Sequence, residues 1–486
     1  MKGFDLMIFK DLLDLNSKYE ITSLSTDSRD VKRNSVFFCI EGYSKDRHDF
    51  VDEAVAKGAL AIVHSKDIPN KDEDTFYFQV DDVYAALEEA VDYYFNKPSE
   101  RLKLIGVTGT NGKTTITSAI HYFLDDIGES SGYIGTLGVE YNETVLENSV
   151  TTPDIIHVNH YLDMMCEDGV ITASLEVSSQ GLDMRRVDKL DFDVIGFTNL
   201  SMEHLDYHGT MENYYQAKKH LFDILKEEGK MVINIDDEYG QRLYDEVDHP
   251  HKYSISLHKD ADYRAVDVEV KDEYSTYTIL HKGKSYPVKT NLLGEFNVYN
   301  TLQMLALLDQ AGYYISVMSP LIDNLPDIKG RMNFVEEDQD FKVVVDYSHT
   351  PDGYEKIFTY LKSITQGRLI SVIGSAGGRD HEKRPYLGKV SAKYCDEIVV
   401  TEEDPRDESV FEIAEEIMKD VPEVPYHFFG NREDGIEFAI NVAEKGDTVV
   451  ILGKGVEKFQ PGPLGNEPWP GDDQVAIDAI KRKNNQ

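Results

Sequence analysis

Apolar runs that alternate with amphipathic stretches extend along most of the chain. The clearest pair lies at 102–128, where the apolar run LKLIGVTG precedes TTITSAIHYFLDDIG. From Ile116 onwards the apolar residues recur at the three- and four-residue spacing of one helix face. Gly128 suits the C-terminal cap of that helix. The pattern predicts a strand followed directly by a helix.

The same alternation continues on both sides of this pair. The runs typical of buried parallel strands are ITASLEV, FDVIGFTNL and KMVINID, and later FKVVVDY, RLISVIG, DEIVVT and DTVVIL. Helical patterns include YEKIFTYLKSI and VFEIAEEIMKDV. Strands that alternate with helices predict parallel α/β sheets. Ligands are then expected at the carboxyl ends of the strands and between domains.

Breaks in this pattern predict three domains. The first region mixes short strands, VFFCI and LAIV, with short helical stretches, and it ends at the Pro/Ser break NKPSERL. The third region starts near DIKGRMNF. We therefore expect domains at 1–98, 99–328 and 329–486, which agrees with roughly 150 residues per domain.

The charge and cysteine content narrow the class of protein. The 486 residues carry 89 Asp and Glu against 50 Lys and Arg, a net charge of −39. This charge disfavours nonspecific binding to nucleic acid or anionic membranes. Cys39, Cys166 and Cys395 lie far apart without a C-x-x-C pair, which suits a reducing cytoplasm. The N-terminal stretch carries acids among its apolar residues and is not expected to be a signal peptide. No apolar run approaches the roughly 20 residues of a membrane span.

The segment VTGTNGKTT has the composition of a phosphate-binding loop. It follows a predicted strand and opens a predicted helix, so its backbone N–H groups would face phosphates. Its glycines are spaced G-x-x-G-x-x-G-K-T, unlike the common G-x-x-x-x-G-K-[ST] loop. The expected nucleotide contacts are Gly109, Thr110, Asn111, Gly112, Lys113, Thr114 and Thr115. Lys113 would supply a charge near the β- and γ-phosphates, and Thr114 could hold Mg²⁺.

The sequence GTNGKTT resembles the Mur ligase family, and the resemblance continues through the whole chain. These ATP-dependent ligases build the stem peptide of peptidoglycan, joining a carboxylate to an amine through an acyl phosphate. The resemblance implies three α/β domains. They are an N-terminal uridine-binding domain, a central P-loop ATPase-like domain with a parallel sheet, and a C-terminal Rossmann-like domain. It also implies ATP and Mg²⁺ as cofactors, because the reaction crowds negative oxygens together.

Three further residues match catalytic positions of the family beside Lys113. Glu176 ends the strand in LEVSSQGL, and His204 lies in NLSMEHLDYHG. Both match metal-coordinating positions. Lys218 in YYQAKKHLF matches the lysine that the family carbamylates. The resulting N6-carboxylysine would give an anionic oxygen ligand for a second Mg²⁺, with Thr114, Glu176 and His204 as the other metal contacts.

Later segments resemble the parts of the family that bind the rest of the nucleotide. GEFNVYN offers Asn297 and Asn300 at the base. GRMNFV offers Arg331 for phosphate, although Lys329 stands where the family usually has proline. VVVDYSHTPDG offers Asp346 toward the ribose and His349 near the nucleotide.

Within the family, the chain resembles the UDP-N-acetylmuramyl-tripeptide synthetases. The string GSAGGRDHEKRP matches their G-x-x-G-x-R-D-x-x-K-R-P, and STDSRDVKRNSVFFCIEG resembles their uridine-binding domain. Matching positions for the UDP-muramoyl dipeptide are Ser28, Thr151, Thr152, Ser178 and Arg186. Arg186 would give an acidic chain the local positive charge that an anionic substrate needs.

The incoming amino acid is expected to meet charged groups of the third region. These are Arg384, Glu403, Asp404, Arg406, Gly453 and Glu457. A diamino acid would match their carboxylate and guanidinium groups. Diaminopimelate-adding members usually have D-N-P-R where this chain has E-D-P-R. The extra acid favours L-lysine, with meso-diaminopimelate a close second because Arg406 could bind a second carboxylate.

Three other departures concern substrate details. Gln180 and Val456 stand where the family usually has histidine, and Arg47 replaces a glycine. Two alternatives stay open: a folylpolyglutamate-synthetase-like ligase and a nucleotide-binding regulatory protein without catalysis. The expected partners are small molecules only, with no nucleic acid and no membrane, and the protein is expected to be a cytoplasmic monomer.

Overall fold

The N-terminal part of the molecule is built on a small parallel sheet. The structure is a computed structural model that describes residues 18–42, 45–148, 150–421, 423–463 and 465–485. The N-terminal stretch discussed above falls largely on residues 1–17, which lie outside that description. Within the described residues this sheet has the order β1-β2-β3-β4. Its strands are β1 (Ser23–Ser25), β2 (Ser35–Phe38), β3 (Ala61–His64) and β4 (Phe76–Gln79).

Two helices cover this sheet. They are α1 (Val51–Ala56) and α2 (Val83–Tyr94), and 3₁₀ turns lie at Ser28–Asp30, Arg47–Phe50 and Pro98–Glu100. One apolar core lies under α2, and a second lies under α1. Asp82 caps α2, because its side chain accepts from the Ala85 N–H.

The central part carries a large mixed sheet. Among the described residues its order is β15-β14-β13-β12-β11-β10-β5-β9-β6-β7-β8. The strands are β5 (Lys103–Thr108), β6 (Ser131–Gly135), β7 (Gly138–Tyr141), β8 (Thr144–Leu146), β9 (Thr172–Glu176), β10 (Val194–Phe197), β11 (Lys230–Asn234), β12 (Lys252–Ser256), β13 (Tyr263–Val270), β14 (Ser275–His281) and β15 (Lys284–Thr290). Strand β5 pairs in parallel with β9 on one side and β10 on the other. Their carboxyl ends therefore meet at one edge, where ligands of such sheets bind.

Helices pack on both faces of this sheet and bury two apolar cores. They are α3 (Lys113–Asp126), α4 (Ile155–Glu167), α5 (Ser179–Asp183), α6 (Leu205–His208), α7 (Met211–Asp223), α8 (Glu238–Glu246), α9 (Glu295–Gln310) and α10 (Ile315–Met318), with a 3₁₀ turn at Ile322–Asn324. The helix predicted over TTITSAIHYFLDDIG is α3. Gly128 lies just beyond its end with φ +80°, as a C-terminal cap requires.

The antiparallel strands β13, β14 and β15 were not predicted. They extend the sheet through two tight reversals between Val270 and Ser275 and between His281 and Lys284. Their burial alternates, so one face packs on α9 while the other is open to solvent. Alternation of apolar and polar residues was the signal for these strands in the sequence, whereas the strand predictions rest on continuous apolar runs.

The C-terminal part has a second parallel sheet, ordered β16-β17-β21-β18-β19-β20 in the described residues. Its strands are β16 (Asn333–Phe334), β17 (Lys342–Asp346), β18 (Leu369–Ile373), β19 (Glu397–Val400), β20 (Tyr426–Phe428) and β21 (Thr448–Leu452), and a hairpin follows at β22 (Phe459–Gly462) and β23 (Gly465–Pro468). The helices are α11 (Pro351–Ile364), α12 (Arg384–Tyr394), α13 (Val410–Ile417), α14 (Arg432–Val442) and α15 (Asp472–Asn484). Only β16 pairs antiparallel in this sheet as described.

The prediction of a three-domain α/β fold is confirmed. Each apolar run predicted as a strand contains one, and the long helical patterns fall on α3, α11 and α13. The sheets place the domain limits between Gln79 and Lys103 and between Thr290 and Asn333, so the limits at 98/99 and 328/329 stay predictions. In the described part of the chain, no helix combines the length and apolarity needed to cross a membrane.

Candidate active site

The phosphate-binding loop joins β5 to α3 in a conformation that requires glycine. Gly109 has φ +145° and Gly112 has φ +91°. A Cβ on Gly109 would lie 1.8 Å from Thr198 Oγ1, and one on Gly112 would lie 2.5 Å from Asn300 Oδ1. The loop is therefore packed too closely for side chains at these positions. Helix α3 begins at Lys113, so its N-terminus faces the loop, as phosphate binding requires.

Two lysines converge on the main chain of this loop. Lys113 Nζ donates to the oxygens of Gly109 and Thr110 at 2.9 and 2.8 Å. Lys218 Nζ, from α7, donates to the same Gly109 oxygen at 2.8 Å. Burial lowers the pKa of Lys113, and burial with the nearby Lys113 charge holds the pKa of Lys218 well below its usual value. The loop thus gathers two buried amines where an anion would bind.

Glu176 ends β9 beside the loop and is fully buried. Its Oε2 accepts from Thr114 Oγ1 at 2.9 Å, and its Oε1 accepts from Thr136 N–H at 2.8 Å and from the Tyr133 hydroxyl. A carboxylate and a hydroxyl at this spacing are oxygen donors of the kind Mg²⁺ prefers, with phosphate and water completing its shell. The described residues contain no group of three His, Cys, Asp or Glu side chains arranged to hold a metal alone.

His204 lies next to a buried acid that the sequence analysis did not single out. Glu203 Oε1 is 2.6 Å from His349 Nε2, and its Oε2 is 3.7 Å from His204 Nε2. The adjacent histidines outweigh burial and hold the pKa of Glu203 well below its usual value. Burial lowers the pKa of His204 to about 4. The signal for Glu203 was its place beside His204 in SMEHLDYHG.

Residues after the second domain break reach back to the loop. Arg331 Nη2 donates to Thr114 Oγ1 at 2.8 Å, and its guanidinium lies 4.9 Å from the Tyr347 ring centre. Asn111 Nδ2 donates to Asp352 at 3.0 Å from the other side. The structure thus brings predicted phosphate residues of the central and C-terminal parts together.

The other residues that are predicted to bind the nucleotide form hydrogen bonds within the protein. Asn297 donates to Leu293 O at 2.8 Å, and Asn300 donates to Asn297 Oδ1 at 2.8 Å beside Gly112. Asp346 accepts from the N–H groups of Met332 and Ser348, and burial raises its pKa. These contacts place Asn300 next to the loop. The roles of Asn297 and Asn300 toward the base and of Asp346 toward the ribose stay predictions.

Four of the predicted dipeptide residues form one cluster beside Glu176. Thr152 Oγ1 donates to the Glu176 main-chain oxygen at 2.8 Å and lies 3.0 Å from Ser178 Oγ. Arg186 Nη1 donates to Thr152 O at 2.6 Å. Thr151 is connected to this cluster through Thr136, and 3.1 Å separates the two hydroxyl oxygens. Ser28 belongs to the N-terminal part instead, where its hydroxyl donates to Glu53 at 2.8 Å.

The predicted amino-acid residues are held by two loops that touch. Asp404 and Arg406 adopt φ +46° and +50°, and a Cβ on Gly453 would lie 2.2 Å from Glu403 Oε2. Lys454 lies between the loops, donating to Asp404 at 2.8 Å and to Glu457. The buried Glu403 Oε2 finds no hydrogen-bond partner in the described structure, and burial raises the pKa of Glu403.

Arg384, which is predicted to meet the incoming amino acid, is paired within the protein, and its predicted role stays a prediction. Its guanidinium is fully buried and paired with Glu408 and Glu416 at 2.9 and 2.8 Å. Contact with an incoming amino acid would require these pairs to break. Arg379, from the same motif, is exposed. Burial lowers the pKa of Arg406, and the charge of Arg379 lowers it further.

Known families match all three parts of the chain. The family described as "Mur ligase middle domain" matches residues 107–308. The "Mur ligase, glutamate ligase domain" matches 330–455, and "Mur ligase family, catalytic domain" matches 20–94. A UDP-N-acetylmuramoyl-L-alanyl-D-glutamate--2,6-diaminopimelate ligase of Bacillus velezensis is 36% identical over 96% of this chain and 95% of its own length. The chain belongs to the Mur ligase family.

Solved structures support the same fold for this Mur ligase. A structure titled UDP-N-acetylmuramoyl-L-alanyl-D-glutamate--2,6-diaminopimelate ligase has TM-score 0.66 and 28% identity, covering 95% of both chains. MurF ligase from Thermotoga maritima, solved in complex with ADP, has TM-score 0.63 at 20% identity and covers 95% of this chain and 97% of its own. The latter similarity concerns the fold alone.

Proposed function

We propose that this Mur ligase adds a diamino acid to UDP-N-acetylmuramoyl-L-alanyl-D-glutamate with consumption of ATP. The observation that carries the proposal is the convergence of Lys113, Lys218, Glu176 and Arg331 on one phosphate-binding loop. Single residues of these types are common in structural roles. Their assembly from four segments of chain around a glycine-rich loop supports phosphoryl transfer.

The first half-reaction would activate the γ-carboxylate of the D-glutamyl residue. A carboxylate oxygen forms a bond to the γ-phosphorus of ATP while the bond from that phosphorus to the β-phosphate oxygen breaks, and ADP leaves. Lys113 and Arg331 would stabilise charge on the transferring phosphoryl group. Arg186 and the cluster at Thr152 and Ser178 would hold the muramoyl dipeptide beside it.

The second half-reaction would form the peptide bond. The unprotonated amine of the incoming amino acid attacks the acyl carbon, inorganic phosphate leaves with the bond electrons, and the nitrogen loses a proton. Glu403 is suited to hold an ammonium group of the substrate, since it is a buried carboxylate with an unpartnered oxygen. That contact would place the amino acid at the two touching loops.

The oxygen donors described above fit Mg²⁺. We infer that Thr114 and Glu176 would hold one ion, and that His204 and a carbamylated Lys218 would hold a second. When bound, the ions would neutralise charge between the phosphate groups. The buried amine of Lys218 faces the same loop as Lys113, which supports a role as an anionic ligand once carbamylated.

For the amino acid, the contacts now favour meso-diaminopimelate over L-lysine. The lysine preference rested on two free acids at Glu403 and Asp404, but Asp404 is paired with Lys454. Burial and the charge of Arg379 lower the pKa of Arg406, and either guanidinium could bind a second carboxylate. The relative from Bacillus velezensis is named for diaminopimelate as well.

A test of the proposal is ADP release in the presence and absence of each substrate. We expect release to require both the UDP-muramoyl dipeptide and a diamino acid. Release stimulated by a folate and glutamate would instead support the folylpolyglutamate-synthetase-like alternative. Nucleotide binding without release under any condition would support the regulatory alternative. The nucleotide substrates suit a cytoplasmic location, and the expected monomeric state stays a prediction.

A further inference from the structure

One buried guanidinium binds the start of each of the two loops that carry the predicted amino-acid residues. We call these loops, 401–406 and 453–457, the amino-acid loops. Arg432 begins α14, behind the loops that follow β19 and β21. Its Nη1 donates to the Glu402 oxygen at 3.2 Å, and its Nη2 donates to the Leu452 oxygen at 2.9 Å. Those two carbonyls immediately precede Glu403 and Gly453. The same side chain therefore fixes where each loop starts.

A carboxylate on the last helix completes this connection. Asp472 pairs with Arg432 through both oxygens, at 2.8 Å to Nε and 2.7 Å to Nη2. Neither side chain is exposed. The Asp472 N–H donates to Gly455 O at 2.9 Å. The second loop is thus held at two points, at Leu452 by the Arg432 side chain and at Gly455 by the main-chain N–H of Asp472.

The loops need such support, because their conformations are strained. Asp404 and Arg406 both have positive φ, which non-glycine residues adopt only when the surroundings impose it. The loops also touch, since Gly453 leaves no room for a Cβ beside Glu403. A small shift of either loop would therefore move Glu403 against its neighbour. Binding sites depend on residues behind them that hold the contacting groups within a fraction of an ångström.

We propose that the Arg432–Asp472 pair is the positioning unit of the amino-acid site, which sets amino-acid affinity and selectivity without touching the substrate. The inference rests on the proposed function. A purely structural role would instead affect the folding of the whole domain and all substrates equally. The chain offers a matched comparison for these two cases.

The matched control is Arg368, which pairs with Asp447 at the opposite end of the same sheet. Arg368 immediately precedes β18, and Asp447 immediately precedes β21. Arg368 Nη2 donates to Asp447 Oδ2 at 2.8 Å and to Val442 O at 2.7 Å. The control thus combines a carboxylate and a main-chain carbonyl, as Arg432 does, but lies at the amino ends of the strands. Its side chain is 39% exposed, whereas that of Arg432 is fully buried.

The experiment compares steady-state kinetics and melting temperatures of the full-length variants. The variants are Arg432→Met, Arg432→Lys, the double variant Arg432→Met/Asp472→Leu, and the control Arg368→Met. For each, KM is measured for meso-diaminopimelate, L-lysine, ATP and the UDP-muramoyl dipeptide. The double variant removes both charges, so it avoids an unpaired buried carboxylate and decides the question if Arg432→Met does not fold.

We expect Arg432→Met and the double variant to raise the amino-acid KM about tenfold or more, because misplaced binding groups carry such costs. The KM values for ATP and the dipeptide should change by no more than about twofold. Arg432→Lys should give a smaller rise, and the ratio of kcat/KM between the two amino acids should change. Arg368→Met should lower Tm without a selective effect on the amino acid.

Two results would overturn the inference. One is an equal rise of all four KM values in the Arg432 variants, and the other is the same selective amino-acid effect in Arg368→Met. A parent enzyme that uses neither amino acid would already contradict the proposed function before any variant is compared. The two failures are therefore distinguishable.

Discussion

Lys113 and Lys218 donate to one and the same main-chain oxygen, that of Gly109, at 2.9 and 2.8 Å. The two lysines come from different helices and lie 105 positions apart in the chain. Both buried amines lie at the mouth of the phosphate loop, and burial with the nearby Lys113 charge holds the pKa of Lys218 well below its usual value. The predictions for these two lysines differ, because only Lys113 is expected to face phosphate as a cation.

Lys113→Ala should lose most of its turnover. A charge-stabilising group of this kind contributes about 3 kcal/mol or more to the transition state, so kcat/KM should fall about a hundredfold or more. The measurement is ADP release with the dipeptide and amino acid at saturation. Lys219→Ala is the control, because Lys219 pairs only with Asp223 on the same helix as described. Turnover of Lys113→Ala within about threefold of the parent would contradict the assignment.

Lys218→Ala should be inactive and partly rescued by a short carboxylic acid at high concentration. The reason is that the proposed carbamate acts as an anionic ligand, which alanine cannot supply. A second readout is direct: ¹³C-labelled bicarbonate should give a carbamate carbon signal in the parent and in Lys219→Ala but not in Lys218→Ala. Full activity of Lys218→Ala without added acid would reject the role.

Glu176→Gln should raise the Mg²⁺ concentration needed for half-maximal rate. A neutral amide is a weaker ligand than a carboxylate for this hard cation. Because Glu176 also accepts from Thr114 and Thr136, the amide should disturb the loop as well, and melting temperature is measured as the control. An unchanged Mg²⁺ dependence in a folded variant would argue against Glu176 as a ligand.

Gly453→Ala should abolish amino-acid use while sparing ATP binding. The added Cβ would lie 2.2 Å from Glu403 Oε2, at a backbone φ of +113° that alanine rarely adopts. The change therefore displaces Glu403 or the loop carrying Gly453. ATP binding is measured directly by titration calorimetry. An amino-acid KM unchanged in this variant would place the amino acid elsewhere.

The strands, helices and motif residues could be predicted because their signals are local. The runs at β5, β9 and β21 and the loop at 107–115 each carry their pattern within a few residues. The sequence also predicted that Arg331 and Thr114 belong to one site, although 217 positions separate them, because both match family motifs. Motifs thus identified residues that the fold then brought together.

The rest depends on contacts between distant segments. Nothing near Asp404 in the sequence indicates that Lys454 neutralises it, and this pairing removes the charge argument for L-lysine. The motif GRDHEKRP predicts Arg384 as a substrate-binding residue, but its guanidinium is paired with Glu408 and Glu416 in the structure. Whether a charged side chain meets substrate or another side chain is decided by packing, which a motif does not specify.

The selectivity between amino acids can be shifted by single charges at the pocket. Arg406→Met should lower kcat/KM for meso-diaminopimelate more than for L-lysine. Only meso-diaminopimelate has a second carboxylate, and this carboxylate would lose its partner in the variant. Asp404→Asn should shift the ratio toward diaminopimelate by a few-fold to about a hundredfold, because Lys454 would lose the carboxylate that neutralises it and the pocket would become more positive. A shift toward lysine in Asp404→Asn would contradict the charge argument.

The most direct test of the account is an amino-acid panel with ATP and UDP-N-acetylmuramoyl-L-alanyl-D-glutamate, read out by product mass. The account predicts a tripeptide product with a diamino acid, formed more efficiently from meso-diaminopimelate than from L-lysine. A preference for L-lysine would overturn the pocket argument based on Lys454 and Arg406. Absence of a product with every amino acid in the panel would contradict the proposed ligase function itself.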